Sequence, residues 1–312
     1  MEAIDLLVLG DANPDLVMRG DDVVPAFGQA ERIVDEAILT IGGSASILAC
    51  GAARLGLRVA LCAVIGDDLF GRFMRDALRG RGVDVRGLVS VPEGRTAITV
   101  VLSAADDSAM LTDAGSIGAL RGELIDPELL AAARHVHVSS YFLQRGLWPD
   151  LQGIFEDVHA RGGTTSVDPN WDPSGEWDSG LMRLLPGTDV FLPNAMEAMR
   201  LAHISDLDEA IRRLRAETSM VVVKRGEAGA VASTTGETAE APGIPTRVVG
   251  STGAGDSFDA GFLAAWLADM PLARCLEIGN ASGALSTRSP GGADGQANMD
   301  EVLAAIERGR VG

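Results

Sequence analysis

The sequence predicts an α/β protein: a mostly parallel central sheet with helices on both faces, plus a small inserted β lid. Short apolar runs typical of buried strands alternate with helical patterns over most of the 312 residues. Two segments break this alternation with the polar–apolar pattern of half-exposed strands. Polar residues also gather directly after several strands, where open α/β sheets bind their ligands.

The apolar runs predict buried strands, which lie at 4–9, 59–65, 135–139, 164–167, 189–192 and 220–223. Between and after them, apolar residues recur at helical spacing. These helical patterns cover about 44–55, 68–80, 127–133, 147–161, 206–217, 256–268 and 272–286. Strands that alternate with helices predict a parallel sheet with helices on both faces.

The two segments that break the alternation, 12–40 and 92–112, predict the β lid. Residues 94–112 have the pattern of an antiparallel hairpin that turns at 104–107. The α/β body then comprises 1–11, 41–91 and 113–312. Exposed edges of lid strands are usually paired or covered, so we expect a homodimer formed through the lid.

The charge balance restricts the partners. The chain has 26 basic and 44 acidic residues, a formal net charge of −18, and its sequence contains no basic cluster. Nucleic acid is therefore not an expected partner, and a phosphate site must be built locally from backbone groups.

The composition also indicates a location. The three cysteines, Cys50, Cys62 and Cys275, lie in apolar surroundings without a pairing pattern, which indicates reduced thiols. Arg54 and Arg58 interrupt the most apolar long region, so we expect no membrane span, and no signal peptide is evident. We expect a cytoplasmic protein.

The most informative segment is a glycine-rich turn that enters an amphipathic helix. Gly253, Ala254 and Gly255 leave backbone amides bare at a helix N-terminus, which favours an anion. Asp256 follows, and a carboxylate beside an anion site suggests phosphoryl transfer to a hydroxyl with Asp256 as base. In the alternative interpretation, Asp256 only caps its helix and the glycines only make a turn.

Two other nucleotide motifs are excluded at this turn. A P-loop requires Lys and then Ser or Thr after its second glycine, whereas Gly255 is followed by Asp256 and Ser257. A dinucleotide motif that begins at Gly253 requires glycine at position 258, which is Phe258.

Further polar residues follow the predicted strands or precede helices. They are Asp11, Asn13, Asp15, Gly42, Gly43, Asp168, Asn170, Asn194, Glu197, Lys224 and Gly226. Each alone fits an ordinary turn. Together they predict one shared cleft at the carboxyl ends of the strands.

These segments resemble the motifs of the ribokinase-like (PfkB) carbohydrate kinase family over essentially the whole chain. Gly42 and Gly43, with Ala49 and residues 53–56, resemble the amino-terminal family signature. Residues 252–256 resemble the carboxy-terminal signature, which is the more specific one. Residues 194–197 look like the Asn-x-x-Glu motif, and residues 224–229 look like the nucleotide-side strand and turn.

The resemblance implies roles for these residues. Asp256 would be the base, with the amides of Gly253, Ala254 and Gly255 as anion hole. Asn194 and Glu197 would organise Mg²⁺ and its waters near ATP. The nucleotide side would comprise Asn194, Lys224, Gly226, Gly229, Thr252 and Asn280. The acceptor side would comprise Asp11, Asn13, Asp15, Gly42, Gly43, Ile47, Gln144, Asp168 and Asn170.

The chain departs from the family pattern at three positions. Ile47 stands where the family usually has a substrate-binding Asn, which suggests an altered, less hydroxylated acceptor. Gly250 stands where an Asp helps to bind a monovalent cation, so activation by potassium is not expected. In members that act on acidic or ketose sugars, the segment of Asp168 and Asn170 often continues to an Arg. Here it continues to residues 171–173, and the charge of Asp172 is expected to repel an anionic sugar acid.

The resulting hypothesis is an ATP- and Mg²⁺-dependent kinase that phosphorylates a hydroxyl of a small sugar or sugar-like metabolite. A nucleoside kinase of the same family is an alternative, although the first lid segment offers only Phe27 for stacking a base. Another is a sugar-binding regulator without turnover. His135 and His137 share one strand face and are interpreted as structural residues.

Overall fold

Two sheets organise the computed structural model, which describes residues 3–20, 22–103 and 108–311. The strands of these ranges are β1 Ile4–Leu9, β2 Asn13–Arg19, β3 Glu36–Gly42, β4 Val59–Gly66, β5 Leu88–Val91, β6 Ile98–Ser103, β7 Ser108–Asp113, β8 Ala133–Val138, β9 Thr164–Val167, β10 Val190–Phe191, β11 Met220–Lys224, β12 Ala230–Thr234 and β13 Thr238–Ala241.

Over these ranges the central sheet has nine strands in the order β13-β12-β11-β10-β9-β8-β1-β4-β5. Its strands are parallel apart from the antiparallel pairs β11–β12 and β12–β13. In β1, Leu6 is paired with Val59 of β4 on one side and with His135 of β8 on the other. This register brings the carboxyl ends of β1, β8, β9, β10 and β11 to one edge.

Helices lie on both faces of the central sheet. They are α1 Ser44–Arg54, α2 Leu69–Gly80, α3 Pro127–Ala132, α4 Leu151–Ala160, α5 Leu181–Leu184, α6 Ala195–Ala202, α7 Leu207–Arg215, α8 Ala254–Trp266, α9 Leu272–Ser286 and α10 Met299–Val311. Alternate residues of β1 face opposite layers: Leu7 and Leu9 pack with α4, whereas Leu6 and Val8 pack with α1. The predicted two-faced α/β architecture is confirmed.

The predicted elements differ from the structure mainly at their ends. The helix expected at 147–161 begins only at Leu151, after Pro149, and the helix expected at 256 already begins at Ala254. The elements that were not predicted include helix α6, the edge strand β13 and its neighbour β12. Strands β12 and β13 are rich in Ala, Ser and Thr, which makes their periodicity weak.

A second sheet of four strands, counted over the described residues, has the order β3-β2-β6-β7. Strand β2 is parallel to β6, while β3 and β7 are antiparallel to their neighbours. This is the lid sheet. The predicted hairpin is present as β6 and β7, and the turn expected at 104–107 lies outside the described residues. The division into body and lid segments stays a prediction.

Within the described ranges, no helix is both long and apolar enough to cross a membrane. The three cysteines are buried free thiols, in agreement with the sequence prediction for these residues. Burial raises the pKa of Cys50 and of Cys62 to about 12.

Candidate active site

The glycine-rich turn forms the start of α8. Gly253 is the N-cap residue, with φ 75°, a left-handed conformation that glycine adopts without a steric cost. The amides of Gly253, Gly255 and Asp256 have no backbone partner among the described residues, whereas the Ala254 amide donates to the Ser251 carbonyl at 3.2 Å. The Ala254 amide is therefore engaged in the turn, and the anion-hole role of the three residues Gly253, Ala254 and Gly255 stays a prediction.

Residues 250–255, called the anion loop below, pack closely against Ile47 and Gly292. A Cβ atom on Gly253 would lie 2.8 Å from Gly292 Cα and 3.0 Å from Ile47 Cγ2. Ile47 is buried and also contacts Gly292. The apolar side chain that replaces the usual Asn therefore packs against the anion loop, and its predicted place on the acceptor side stays a prediction.

Asp256 is half-buried in the first turn of α8, and the Ser44 hydroxyl of α1 donates to its Oδ1. Burial, together with the charges of Asp168 and Asp11, raises the pKa of Asp256 to about 7, against the opposing effects of Ser44 and Lys224. With a pKa close to 7, the Asp256 carboxylate can accept a proton near neutral pH. Sequence reasoning missed Ser44, although its place directly after Gly43 at a helix start was a usable signal.

The first predicted acceptor group comes together around the start of α1. Asp11 Oδ1 accepts from the Ala45 amide at 2.9 Å. A Cβ atom on Gly42 would collide with the Asp15 carboxylate, and one on Gly43 would lie 2.7 Å from Asn13 Oδ1, so both glycines leave room for polar groups. Burial, with the charge of Asp11, raises the pKa of Asp15 to about 7. Asn13 Oδ1 is buried and has no partner among the described residues.

The second predicted acceptor group lies after β8 and β9. Gln144 is completely buried, and neither of its amide atoms has a partner within the described chain. Asn170 donates from Nδ2 to the Ser140 hydroxyl at 2.9 Å. Buried polar atoms of this kind are costly unless something pairs with them, which is consistent with a polar ligand.

The Asp172 side chain accepts its hydrogen bonds from its own loop. Its carboxylate accepts from the amide and hydroxyl of Ser174 and from the Trp177 amide at 2.7 Å. The Asp172 side chain therefore faces its own loop. Burial raises the pKa of Asp172, but these hydrogen bonds outweigh burial and lower the pKa overall. The lowered pKa keeps Asp172 negatively charged, and its effect on an anionic acceptor stays a prediction.

Behind the anion loop, Lys224 at the end of β11 forms a buried cluster with two carboxylates. Its Nζ donates to Asp168 Oδ2 at 2.8 Å, and to Asp259 Oδ1 and Oδ2 at 3.0 and 2.9 Å. Burial lowers the pKa of Lys224, but Asp168 and Asp259 outweigh it and raise the pKa overall, so the ammonium stays charged. The predicted roles of Lys224 toward nucleotide and of Asp168 toward acceptor would require these bonds to break.

The residues Lys224, Asp168 and Asp259 are called the Lys224 cluster below. Asp259 was missed by the sequence analysis. The signal for it was a carboxylate three residues after Asp256 on an otherwise apolar helix, where a charge is rarely buried without a partner.

The predicted Mg²⁺ residues form the start of α6. Asn194 Oδ1 accepts from the Glu197 amide at 2.9 Å, and Glu197 Oε2 accepts from the Asn194 amide at 2.8 Å, which is a capping box. Burial, with the charge of Asp168, raises the pKa of Glu197 to about 7, so a cation nearby would be stabilising. One carboxylate oxygen stays outside the capping box, which fits Mg²⁺ held mainly through water and phosphate oxygens.

The predicted nucleotide residues lie around β11 to β13. Gly226 and Gly229 adopt positive φ angles of 58° and 86°, and a Cβ atom on Gly229 would collide with the Ala241 carbonyl. Asn280 donates from Nδ2 to the carbonyls of Ala241 and Pro242, both at 3.0 Å. Thr252 is half-buried and directly precedes Gly253. These residues shape the edge of the cleft through backbone geometry, and their nucleotide contacts stay predictions.

The two histidines of β8 are structural, as expected. His135 is bonded to the hydroxyls of Thr164 and Ser166 at 2.8 and 2.6 Å, and His137 is bonded to Ser166 at 2.7 Å. Burial lowers the pKa of His137 to about 3, so its ring is neutral behind the Lys224 cluster.

The profile described as the pfkB family of carbohydrate kinases matches residues 3–298. An ATP-dependent ribose-1-phosphate kinase of Halopiger xanaduensis is 34% identical over 97% of this chain and 98% of its own length. A fructokinase of Klebsiella pneumoniae is 31% identical over 91% of this chain and 93% of its own.

Two solved structures that are named as ribokinases have the same fold as this chain. An E. coli structure described as a ribokinase II in complex with ATP and Mg²⁺ superimposes with a TM-score of 0.87 at 25% identity, covering 98% of this chain and 99% of that one. An Arabidopsis thaliana ribokinase in complex with ribose and ATP shares the fold, with a TM-score of 0.83 at 23% identity over 98% of this chain and 99% of that one.

Proposed function

The chain belongs to the PfkB family of carbohydrate kinases, and on this basis we propose that it transfers the γ-phosphoryl group of ATP to a hydroxyl of a small sugar. The observation that carries the residue assignment is the position of Asp256. Asp256 closely follows Gly253 and Gly255, whose amides have no backbone partner among the described residues, and its pKa is raised to about 7. A base and an anion site therefore occupy one helix turn.

In the proposed reaction, Asp256 takes the proton of the acceptor hydroxyl while that oxygen forms a bond to the γ-phosphorus. The bond from phosphorus to the β–γ bridging oxygen breaks, and ADP leaves. The acceptor hydroxyl would replace Ser44 as the donor to Asp256 Oδ1. Afterwards the proton passes from Asp256 to solvent. Positioning and charge stabilisation supply most of the rate enhancement in such transfers.

The anion loop supports the charge of the transferred group. The amides of Gly253, Gly255 and Asp256 are held in place before the reaction, so they need no reorganisation in the transition state. Mg²⁺, when bound near Asn194 and Glu197, would neutralise part of the phosphate charge. Closure of the lid sheet over the acceptor would exclude water and limit wasteful hydrolysis of ATP.

The acceptor class is open to both neutral and anionic sugars. Polar groups of Asp11, Asn13, Asp15 and Gln144 line its predicted site, which suits hydroxyl groups. Asp172 accepts hydrogen bonds from its own loop and keeps its negative charge, so an anionic sugar would have to place its charged group away from Asp172. The relatives named as ribose-1-phosphate kinase and fructokinase span both types of acceptor.

We therefore expect ADP release with at least one sugar of a defined panel, with ATP and Mg²⁺. The panel contains ribose 1-phosphate, ribose, fructose, 5-dehydro-2-deoxygluconate, 2-dehydro-3-deoxygluconate, adenosine and inosine. A coupled assay measures ADP, and thermal shift measures binding of each compound. A ligand at 100 times its Kd stabilises the folded state by about 2.7 kcal/mol.

The panel separates the alternatives. Release with a sugar supports the proposal, and release with adenosine or inosine alone indicates a nucleoside kinase. Thermal stabilisation by a sugar without ADP release indicates a binding protein without turnover. Sugar-independent ADP release is measured with the wild type in the absence of sugar and subtracted.

We also propose a cytoplasmic homodimer that forms through the lid sheet. Large apolar side chains of the lid segments are exposed: Val24, Phe27, Ile33, Leu39, Met110 and Leu111. Exposed apolar patches of this kind mark interaction surfaces. We expect light scattering to give twice the chain mass, and Met110→Glu combined with Leu111→Lys to give the monomer. A wild-type monomer at micromolar concentration would contradict the proposal.

A further inference from the structure

We propose that Asp259 is a positioning residue for phosphoryl transfer, because it holds the Lys224 ammonium directly behind the anion loop. The inference rests on the proposed kinase function of the same site. Asp259 does not reach substrate in this proposal. It acts through Lys224, which in turn supports Gly255 and the base next to it.

The hydrogen bonds of the Lys224 ammonium determine how it can act on a phosphoryl group. The ammonium has three N–H donors, and Asp168 Oδ2 and the two oxygens of Asp259 supply three acceptors at 2.8 to 3.0 Å. A Cβ atom on Gly255 would lie 3.9 Å from Lys224 Nζ. The ammonium is therefore saturated and immediately behind the loop, where it acts on a phosphoryl group by charge rather than by direct bonding.

The charge is needed because acids surround the site. Asp168, Asp256, Asp259 and Glu197 all respond to the charge of Lys224. A phosphoryl group brings further negative charge to the anion loop. Electrostatic repulsion in a buried site is severe, so a fixed cation behind the loop lowers the cost of the transition state.

The Lys224 cluster also ties three elements together. Asp259 lies on α8 three residues after Asp256, on a neighbouring part of the helix surface. Lys224 ends β11, and Asp168 follows β9. Lys224 is also bridged to Asn194 through the backbone. The cluster thus aligns the helix start that carries the base with the strand ends that carry the predicted Mg²⁺ residues.

The first test is Asp259→Asn, which keeps the size of the side chain and removes its charge. The matched control is Asp5→Asn, which removes a buried carboxylate that pairs with Arg58 at the opposite edge of the sheet. We expect Asp259→Asn to lower kcat by roughly 10- to 100-fold with the acceptor KM within about threefold, since a transition-state interaction is lost. We expect Asp5→Asn to lower the melting temperature with kcat near the wild-type value. Equal kcat for the two variants overturns the proposal.

A double-mutant cycle with Lys224→Met tests whether the two residues act as a unit. We expect the Asp259→Asn/Lys224→Met variant to have the kcat of Lys224→Met alone, whereas independent contributions would multiply. Multiplied losses overturn the proposal. If Asp259→Asn does not fold, the triple variant Asp259→Leu/Lys224→Met/Asp168→Asn replaces it, because replacement of every charged member of the cluster leaves no buried charge unpaired. Wild-type kcat in that variant also overturns the proposal.

A measurement without turnover keeps this inference separate from the proposed function. If the wild-type chain phosphorylates no member of the sugar panel, the kinase proposal has failed, and hydrogen exchange still tests the cluster. Asp259→Asn should speed exchange of the Ser257 amide, which donates to the Gly253 carbonyl at 2.9 Å, relative to Asp5→Asn. Unchanged exchange in this first turn of α8 overturns the positioning role.

Discussion

The Asp256→Asn variant should lose roughly 10²- to 10⁴-fold in kcat while it folds normally, the range that removal of a general base gives. The amide of Asn accepts the Ser44 hydrogen bond as the carboxylate does, so the local structure has no reason to change. The replacement also relieves a buried acid whose pKa is raised to about 7, so the folded state is not expected to be less stable. Steady-state ADP release and thermal melting measure the two effects.

The pH dependence gives this variant a second signature. Because the base must be unprotonated, kcat/KM of the wild type should rise with pH up to about 7 and then level off. In Asp256→Asn the residual kcat/KM should lack this rise. A variant with near-normal turnover, or with the same rise toward neutral pH, would remove Asp256 from the mechanism.

The second large effect is expected for Gly253→Ala. Alanine is strained at a φ of 75°, and its Cβ atom would lie 2.8 Å from Gly292 Cα, a distance that real contacts do not show. The anion loop must shift to relieve this clash, which displaces the amides that face the phosphoryl group. We expect kcat to fall by roughly 10²-fold or more, the effect of losing one oxyanion-hole donor.

Gly56→Ala is the matched control for this variant. Gly56 has a φ of 101°, but a Cβ atom there would meet no atom of the described chain within 4 Å. Both variants carry backbone strain of about 1–2 kcal/mol, and only Gly253→Ala moves the anion loop. Equal and near-normal kcat values for the two variants would show that the loop does not contact the transferred group.

The sequence was sufficient to predict the architecture because the buried strands have strong signals. The apolar runs at 4–9 and 164–167 match β1 and β9 at both ends. Weaker signals failed for a physical reason. Strands β12 and β13 were missed because they pair at the antiparallel edge of the sheet, where small and polar residues are tolerated.

The candidate site was predictable at the level of its loops and less so at the level of its side chains. The glycine turn and Asp256 follow from local chemistry, since bare amides and a helix start lie together in the sequence. The Ser44 bond and the Lys224 cluster depend on pairs of residues that are distant in the chain, and no local pattern encodes them. The packing of Ile47 against Gly292 is likewise a tertiary contact that no local pattern encodes.

The most direct measurement is a crystal structure with ADP, a planar phosphoryl mimic such as aluminium fluoride, Mg²⁺ and the acceptor that the panel identifies. The account predicts that one acceptor hydroxyl lies within hydrogen-bond distance of Asp256 Oδ1 in place of Ser44. It also predicts that the mimic contacts the amides of Gly253 and Gly255. A structure in which Asp256 keeps its bond to Ser44, with the acceptor hydroxyl and the mimic bound elsewhere, would contradict it.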